Sequence, residues 1–387
     1  MKEIEKKIAL TVSSALISAL PGVASATACM SNWIEWAAAG PSGSMIAGGM
    51  FFGTVASEDG GRTWSERSSV TDYALGQAAI SGKSTYLSTR SGTYVSDDLG
   101  RNWQLLGMQS AIALDDRGRV YACNAEGRAV EVLDAQREWQ QLPLLDKRQT
   151  VWETILRKDG KADSSETSYD INGRKTVRKG GDFVMDLSPR SPSCKKIVTA
   201  GRLLAVFSDE AIFFSKDRGK HWKGVLLEKV LKETASVNFD EAGMQLDAEG
   251  TLYIDRYVQD QRVVMRSRDG GANWEETPGT RGYSVIGAGG KGIYLVSAGE
   301  FRSSSPRTIY RQVRGGPLEN ILALDKFSGV SRIDGFYQSG GNGPALVTMR
   351  DALMVQDADG SWRTIQGQAM TTRPWSWCSP PPPPPQE

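Results

Sequence analysis

One eight-residue frame, Ser-x-Asp-x-Gly-x-x-Trp, occurs four times in this chain. The copies are Ser57–Trp64 with Asp59 and Gly61, Ser96–Trp103 with Asp98 and Gly100, Ser215–Trp222 with Asp217 and Gly219, and Ser267–Trp274 with Asp269 and Gly271. A short apolar run precedes each frame and another begins at its Trp, which reads as strand, turn, strand. The Asp carboxylate can accept turn N–H groups, and the Ser hydroxyl can do so more weakly. Gly at the fifth position takes φ > 0 without a Cβ clash. The Trp offers roughly 150–250 Å² to bury against a neighbouring element. Every position of the frame therefore has a structural task, and the aspartates are expected to staple hairpins, not to bind metal or perform catalysis.

The frame resembles the Asp-box, or bacterial neuraminidase repeat, and the chain is similar to members of the sialidase-like β-propeller group. That group also holds sortilin-type receptors, photosystem assembly factors and some glycoside hydrolases. The resemblance implies an all-β propeller whose Asp-boxes sit on blade hairpins away from the ligand face. It stops short of true sialidases, which carry Arg-Ile-Pro ahead of the first box to bind the substrate carboxylate. Here the first arginine is Arg62, already inside the first frame. No catalytic residue is carried over.

Two looser units keep the acid and the Trp, Asp134–Trp139 and Asp357–Trp362, and a third ends at Gly315-Gly-Pro317 without a Trp. Hairpins ending near 64, 103, 139, 222, 274, 317 and 362 predict seven blades, because a repeat of roughly 40–50 residues signals a propeller. The long interval from Trp139 to Trp222 leaves six or eight as alternatives. Within it, residues 146–182 are rich in charge, and Asn172-Gly173 between β-type flanks predicts an inserted hairpin. Insertions on repeat folds gather on one face, often the binding face. Apolar spacing over Leu226–Ala235 predicts one short helix. Trp33, Trp36, Trp375 and Trp377 are expected to pack the seam where the ring closes, with sugar stacking as the alternative.

The N-terminus reads as a secretory signal: a charged start, an apolar run from Ile8 to Leu20, and Ala24-Ser-Ala26 as the cleavage pattern. Residues 27–378 then form a single exported propeller domain, periplasmic or secreted, and 379–387 a Pro-rich tail. Export permits disulfides. Cys29, Cys123, Cys194 and Cys378 allow three pairings. A ring that brings its ends together implies Cys29–Cys378, leaving Cys123–Cys194; free buried thiols are the alternative. With 46 basic and 45 acidic residues, no nucleic-acid partner or stable membrane insertion is expected.

The chain has one histidine, His221, and it lies inside a frame. Ser-His-Asp and Cys-His machinery and His-based metal sites are thereby disfavoured, and no cofactor is expected. Carboxylates alone can hydrolyse glycosides, and Asp240, Glu241, Glu300 and Asp334 lie outside the frames. The arginines of Phe301–Arg311 are candidates to face an acidic ligand. The sequence thus favours a binding or assembly module for a protein or glycan over its rival, a carboxylate-based glycoside hydrolase in the channel mouth.

Overall fold

The computed structural model describes residues 34–370, apart from 41, 50–52, 69, 71–73, 146, 157–161, 171, 180–193, 209, 228–242, 259–260, 290–291, 298–307, 324–332, 339–344, 350–351, 358–360 and 367–369. Seven four-stranded antiparallel sheets span residues 36–67, 74–107, 110–141, 194–226, 244–276, 283–323 and 333–366, numbered here as blades 1 to 7. Each is a meander of consecutive strands. The first strand of each blade touches the first strand of the next, and that of blade 7 touches that of blade 1. This is a seven-bladed β-propeller, so the count of seven stands over six or eight.

Burial explains why the middle strands read as unbroken apolar runs. Leu203–Ser208 and Ala211–Ser215 of blade 4 are buried almost throughout, because both faces of a blade pack on neighbours. The outer strands Ser65–Arg67 and Trp139–Gln141 are largely exposed and polar.

Seven hydrophobic clusters fill the seven interfaces between blades. The Trp that opens an outer strand always lies against the preceding blade. Trp64 packs between blades 7 and 1, Trp103 between 1 and 2, and Trp139 between 2 and 3. Trp222 packs between 3 and 4, Trp274 between 4 and 5, and Trp362 between 6 and 7. Blade 6, which lacks the indole, puts Leu318 at this position between blades 5 and 6.

The seam between blades 7 and 1 is closed by Ile34, Ala37, Met45 and Val55 against Leu346, Leu353, Val355 and Ile365. Among the described residues no strand is exchanged across it. Trp36 is not part of this seam. It is 3% exposed and packs between blades 1 and 2 with Ile46, Ile80 and Leu87. The bare backbone of Gly48 makes room for its ring, since a Cβ there would come within 2.4 Å of it. Trp33, Trp375 and Trp377 lie outside the described residues, as do Cys29, Cys378, the signal segment, the Pro-rich tail and nearly all of the expected helix.

Between blades 3 and 4 the inserted hairpin belongs to a three-stranded antiparallel sheet of Gln149–Leu156, Ala162–Tyr169 and Lys175–Lys179. Its second turn is wider than the two residues Asn172-Gly173. The N–H of Asp170 bonds to the carbonyl of Arg174 at 3.1 Å, and Gly173 sits at φ +78°. The Asp170 carboxylate widens the turn by accepting the N–H groups of Asn172 at 2.9 Å and Arg174 at 2.8 Å.

Candidate functional site

A four-stranded meander running outward from an axis sends its first and third turns to one end of the ring. Its second turn and the connection to the next blade go to the other end. The frames are third turns, so they share the first end with the turns that join strands one and two. The insertion leaves from the opposite end.

In all four frames the Ser hydroxyl donates to the Asp carboxylate at 2.7–2.9 Å and accepts the Gly N–H at 2.7–2.9 Å. The Asp accepts the N–H of the seventh residue at 2.8–3.0 Å. That residue's side chain then reaches the second carboxylate oxygen. Thr63 Oγ1, Asn102 Nδ2 and Asn273 Nδ2 donate to it at 2.6 Å, and His221 Nδ1 lies 2.5 Å from Asp217 Oδ2. The seventh position thus carries a polar partner in every copy, a regularity that could have been read from Thr63, Asn102, His221 and Asn273. The single histidine is spent on it. Backbone and side-chain N–H groups of Asn102 bring the Asp98 carboxyl down to about 2. At Asp217 burial pushes upward, but His221 and Ser215 outweigh it and bring the group down to about 2.

A second turn, Asp-x-x-Gly-x, escaped the sequence reading. Asp115, Asp134, Asp170 and Asp247 each accept N–H groups two and four residues on at 2.8–3.0 Å. Their fourth residues, Gly118, Arg137, Gly173 and Gly250, all have positive φ. The loose unit Asp134–Trp139 is this turn and not an eroded frame. Both turns place the Trp five residues after the Asp, which is why the two look alike in sequence. In two copies a Tyr follows six residues after the Asp. Tyr121 donates to Asp115 at 3.3 Å and Tyr253 to Asp247 at 3.0 Å. Burial, with Asp115 beside it, pushes the Tyr121 hydroxyl up to about 12.

Arginines link neighbouring blades at the same end. Arg137, Arg218 and Arg314 all have positive φ. They reach back to Asp97 at 2.5 Å, Asp116 at 3.4 Å and Glu249 at 2.8 Å in the blade before. These carboxylates are bound up in holding the ring together. Asp240, Glu241 and Glu300 lie outside the described residues, and only the backbone of Asp334 is described, on the first strand of blade 7. Of the arginines in Phe301–Arg311, Arg311 pairs with Glu319 at 2.5 Å, whereas Arg302 and Arg307 lie outside the described residues. Among the described residues no group of three His, Cys, Asp or Glu could hold a metal ion.

The insertion is what remains after the ring is built, and it is fixed at both ends. At its base, Leu142 and Leu145 donate to the carbonyls of Val130 and Arg128 at 2.9 and 3.1 Å. The returning chain donates from Cys194 N to Gly127 O at 3.1 Å, and Cys194 forms a disulfide with Cys123. At its second turn, which the pairing of Gln149 with Tyr169 sets beside the entering chain, Asn172 grips the outer strand of blade 4, Lys223–Leu226. Its Nδ2 donates to Gly224 O at 3.0 Å and its Oδ1 accepts Gly224 N at 2.6 Å. Between these points Arg148 pairs with Glu210 at 3.0 Å.

Exposed cations lie on the insertion near its turn and on the stretch of blade 4 that leads to Gly224. They are Lys147, Arg174 and Lys175 on the insertion, and Lys216, Lys220 and Lys223 on the blade. None of the six has an ionic or hydrogen-bond partner for its side chain among the described residues. Residues 170–179 carry four basic side chains and one acid, and so do residues 216–223, within a chain that is otherwise balanced.

No protein-family model matches the chain, and no curated protein matches its sequence. Among solved structures, an ancestral GH74 enzyme matches with a TM-score of 0.52 and 13% identity, covering 88% of this chain and 47% of its own. The chain therefore spans about half the length of that enzyme. BamB from Moraxella catarrhalis matches with a TM-score of 0.41 and 13% identity, over 87% of this chain and 99% of its own. YCF48 bound to a D1 peptide matches with a TM-score of 0.37 and 12% identity, over 87% and 84%. What this chain has in common with such structures is the β-propeller fold.

Proposed function

We propose that this chain is an exported Asp-box propeller that serves as a binding or assembly module, holding a protein or glycan ligand without transforming it. One observation carries the reading. The turn acids described above are engaged by the backbone, by neighbouring side chains or by the next blade, whereas the docked insertion presents charge that the ring does not use. Disulfide-fixed placement suits a rigid recognition element, because a pre-ordered surface loses less entropy on binding. The disulfide also fits an oxidising compartment, and no described helix is long and apolar enough to cross a membrane.

The test is capture from envelope extract by the mature chain, alongside a panel of glycan substrates. Retention of a defined partner with no turnover is the expected result. Turnover of a glycan with nothing retained would replace this reading with the glycoside hydrolase.

A further inference from the structure

We infer that the Lys175–Lys179 strand is a docking edge for an extended acidic segment of a partner protein, added as a fourth strand to the inserted sheet. The inference rests on the binding-module reading and names the surface and the chemistry of its occupant.

Three observations carry it. First, among the described residues Lys175–Lys179 pairs only with Ala162–Tyr169, and no described strand lies on its other edge. An edge strand keeps a row of backbone donors and acceptors available to another chain. Second, the edge is held out in a fixed position. The Asn172 clasp on Gly224 ties the sheet to blade 4, and the Cys123–Cys194 bond fixes where the chain rejoins the ring. Third, the strand and its turn, residues 170–179, carry four basic side chains against one acid. Lys175, Thr176 and Val177 are exposed, Val177 at 47%. Arg174 adjoins Lys175 in the chain, Lys147 lies against Gly173, and Lys223 adjoins the clasped Gly224, all three without acidic partners among the described residues.

Lysines on an edge strand discourage pairing with a second copy of the same edge. The same charges leave the edge open to a chain of opposite sign. Strand addition draws affinity from main-chain hydrogen bonds and specificity from alternate side chains. Lys175 and Val177 lie on one face of the strand, two residues apart. An added strand with acids at alternate positions and small apolar residues between them meets that spacing.

The experiment compares two synthetic peptides of equal length and charge on the full chain. One repeats Glu-Thr-Glu-Val and can pair as a strand; the other repeats Glu-Pro and lacks half the N–H groups that pairing needs. The strand-forming peptide is expected to bind about tenfold or more tightly than the Glu-Pro peptide, a difference of about 1.4 kcal/mol. It should slow amide exchange within 175–179 and weaken as salt rises from ~50 to ~300 mM. Lys175→Glu with Lys223→Glu should lose about tenfold in affinity while leaving thermal unfolding in place.

Equal binding of the two peptides, unchanged exchange at 175–179, or tighter binding of dextran sulfate than of the strand-forming peptide would each overturn the inference. So would a partner retained from extract equally by the wild type and the double variant, an outcome that leaves the module reading standing. Glycan turnover with no protein retained removes the module reading itself.

Discussion

Arg363 Nη2 lies 2.7 Å from the carbonyl oxygen of Gly60, joining blade 7 to blade 1 across 303 positions of sequence. Its Nη1 donates to the neighbouring Gly61 carbonyl at 3.0 Å, and Asp357 in its own blade pairs with the guanidinium at 3.2 Å. Positive φ at Gly60 and Gly61 presents both carbonyls to the seventh blade. Arg67 does the same one interface on, donating from Nε to Leu99 O at 3.1 Å. A ring without strand exchange needs such a contact at its seam, because apolar packing alone does not fix how two sheets are rotated against each other.

Arg363→Ala is therefore expected to destabilise the ring by about 1–3 kcal/mol, the usual range for hydrogen bonds to a charged group. The cost should fall near the lower end, since the side chain is 31% exposed. Arg363→Lys should recover only part of the loss, because an ammonium lacks the planar fork that serves two carbonyls and a carboxylate together. Urea unfolding of the three proteins measures this, and a Lys variant equal to wild type would refute the fork argument.

Acid should weaken the ring over a defined window. Asp98 and Asp217 are held at about 2 in the folded chain, against about 3.9 for a free aspartate. Groups lowered on folding contribute stability that is whole above the unfolded value and lost as pH falls through the folded one. The urea midpoint should therefore drop between about pH 4 and about pH 2. Asp98→Asn should start from a lower midpoint at neutral pH and fall less steeply across the same window. Parallel curves for the two proteins would show that the Asp98 carboxylate is not a source of the slope.

The indoles make a sharper comparison. Trp274 Nε1 donates to Gly271 O at 2.9 Å, whereas Trp222, 8% exposed, has a buried Nε1 with no hydrogen-bond partner among the described residues. A buried unpaired donor carries a penalty of about 1–3 kcal/mol. Trp222→Phe removes that penalty along with part of the ring, while Trp274→Phe removes a made bond. The expected order is a smaller loss for Trp222→Phe than for Trp274→Phe, read from urea unfolding. Alanine at either site should cost about 3–5 kcal/mol through the cavity it leaves.

The ring was legible because its determinants are local. Ser, Asp, Gly and Trp act within eight residues of one another, so their spacing survives in the sequence, and counting the Trp positions gives six of the seven blades. Leu318 was not legible as the seventh anchor, since nothing marks one leucine as the occupant of an indole's place. Trp36 was misplaced because strand order, not sequence position, decides which interface a residue near the chain's start will face. The Asn172 clasp on Gly224 joins residues 52 positions apart through an amide that reads equally well as a turn residue. The basic edge was hidden by a net charge near zero, which averages away where the charges stand.

The Cys123–Cys194 bond closes 71 positions of sequence across the base of the insertion. Loop-entropy arguments assign about 4 kcal/mol to a closure of that length. Replacing both cysteines by alanine avoids a stray thiol and should lower the thermal midpoint. It should also speed proteolysis within residues 142–193, because no covalent tie then backs the hydrogen bonds at Gly127, Arg128, Val130 and Gly224 and the Arg148–Glu210 pair. An unchanged cleavage rate would mean that those bonds suffice.

Asn172→Ala separates the insertion from the ring without touching either core. It deletes both hydrogen bonds to Gly224, each worth about 1 kcal/mol net. The Gly224 groups lie on an outer strand where water can replace the lost amide, so the unfolding midpoint of the ring should move little. The insertion has fewer substitutes, since Arg148–Glu210 and the base contacts remain but no other described hydrogen bond holds the Asn172 turn to blade 4. Amide exchange across 170–179 should accelerate, and protease should cut there sooner. Asn172→Asp discriminates further: a carboxylate still accepts Gly224 N–H but repels the carbonyl, so its exchange rate should approach that of the alanine variant. With Cys123–Cys194 intact, the cut fragments should stay joined until reductant is added. Exchange unchanged in both variants would show that the clasp is incidental and that the sheet is positioned from its base alone.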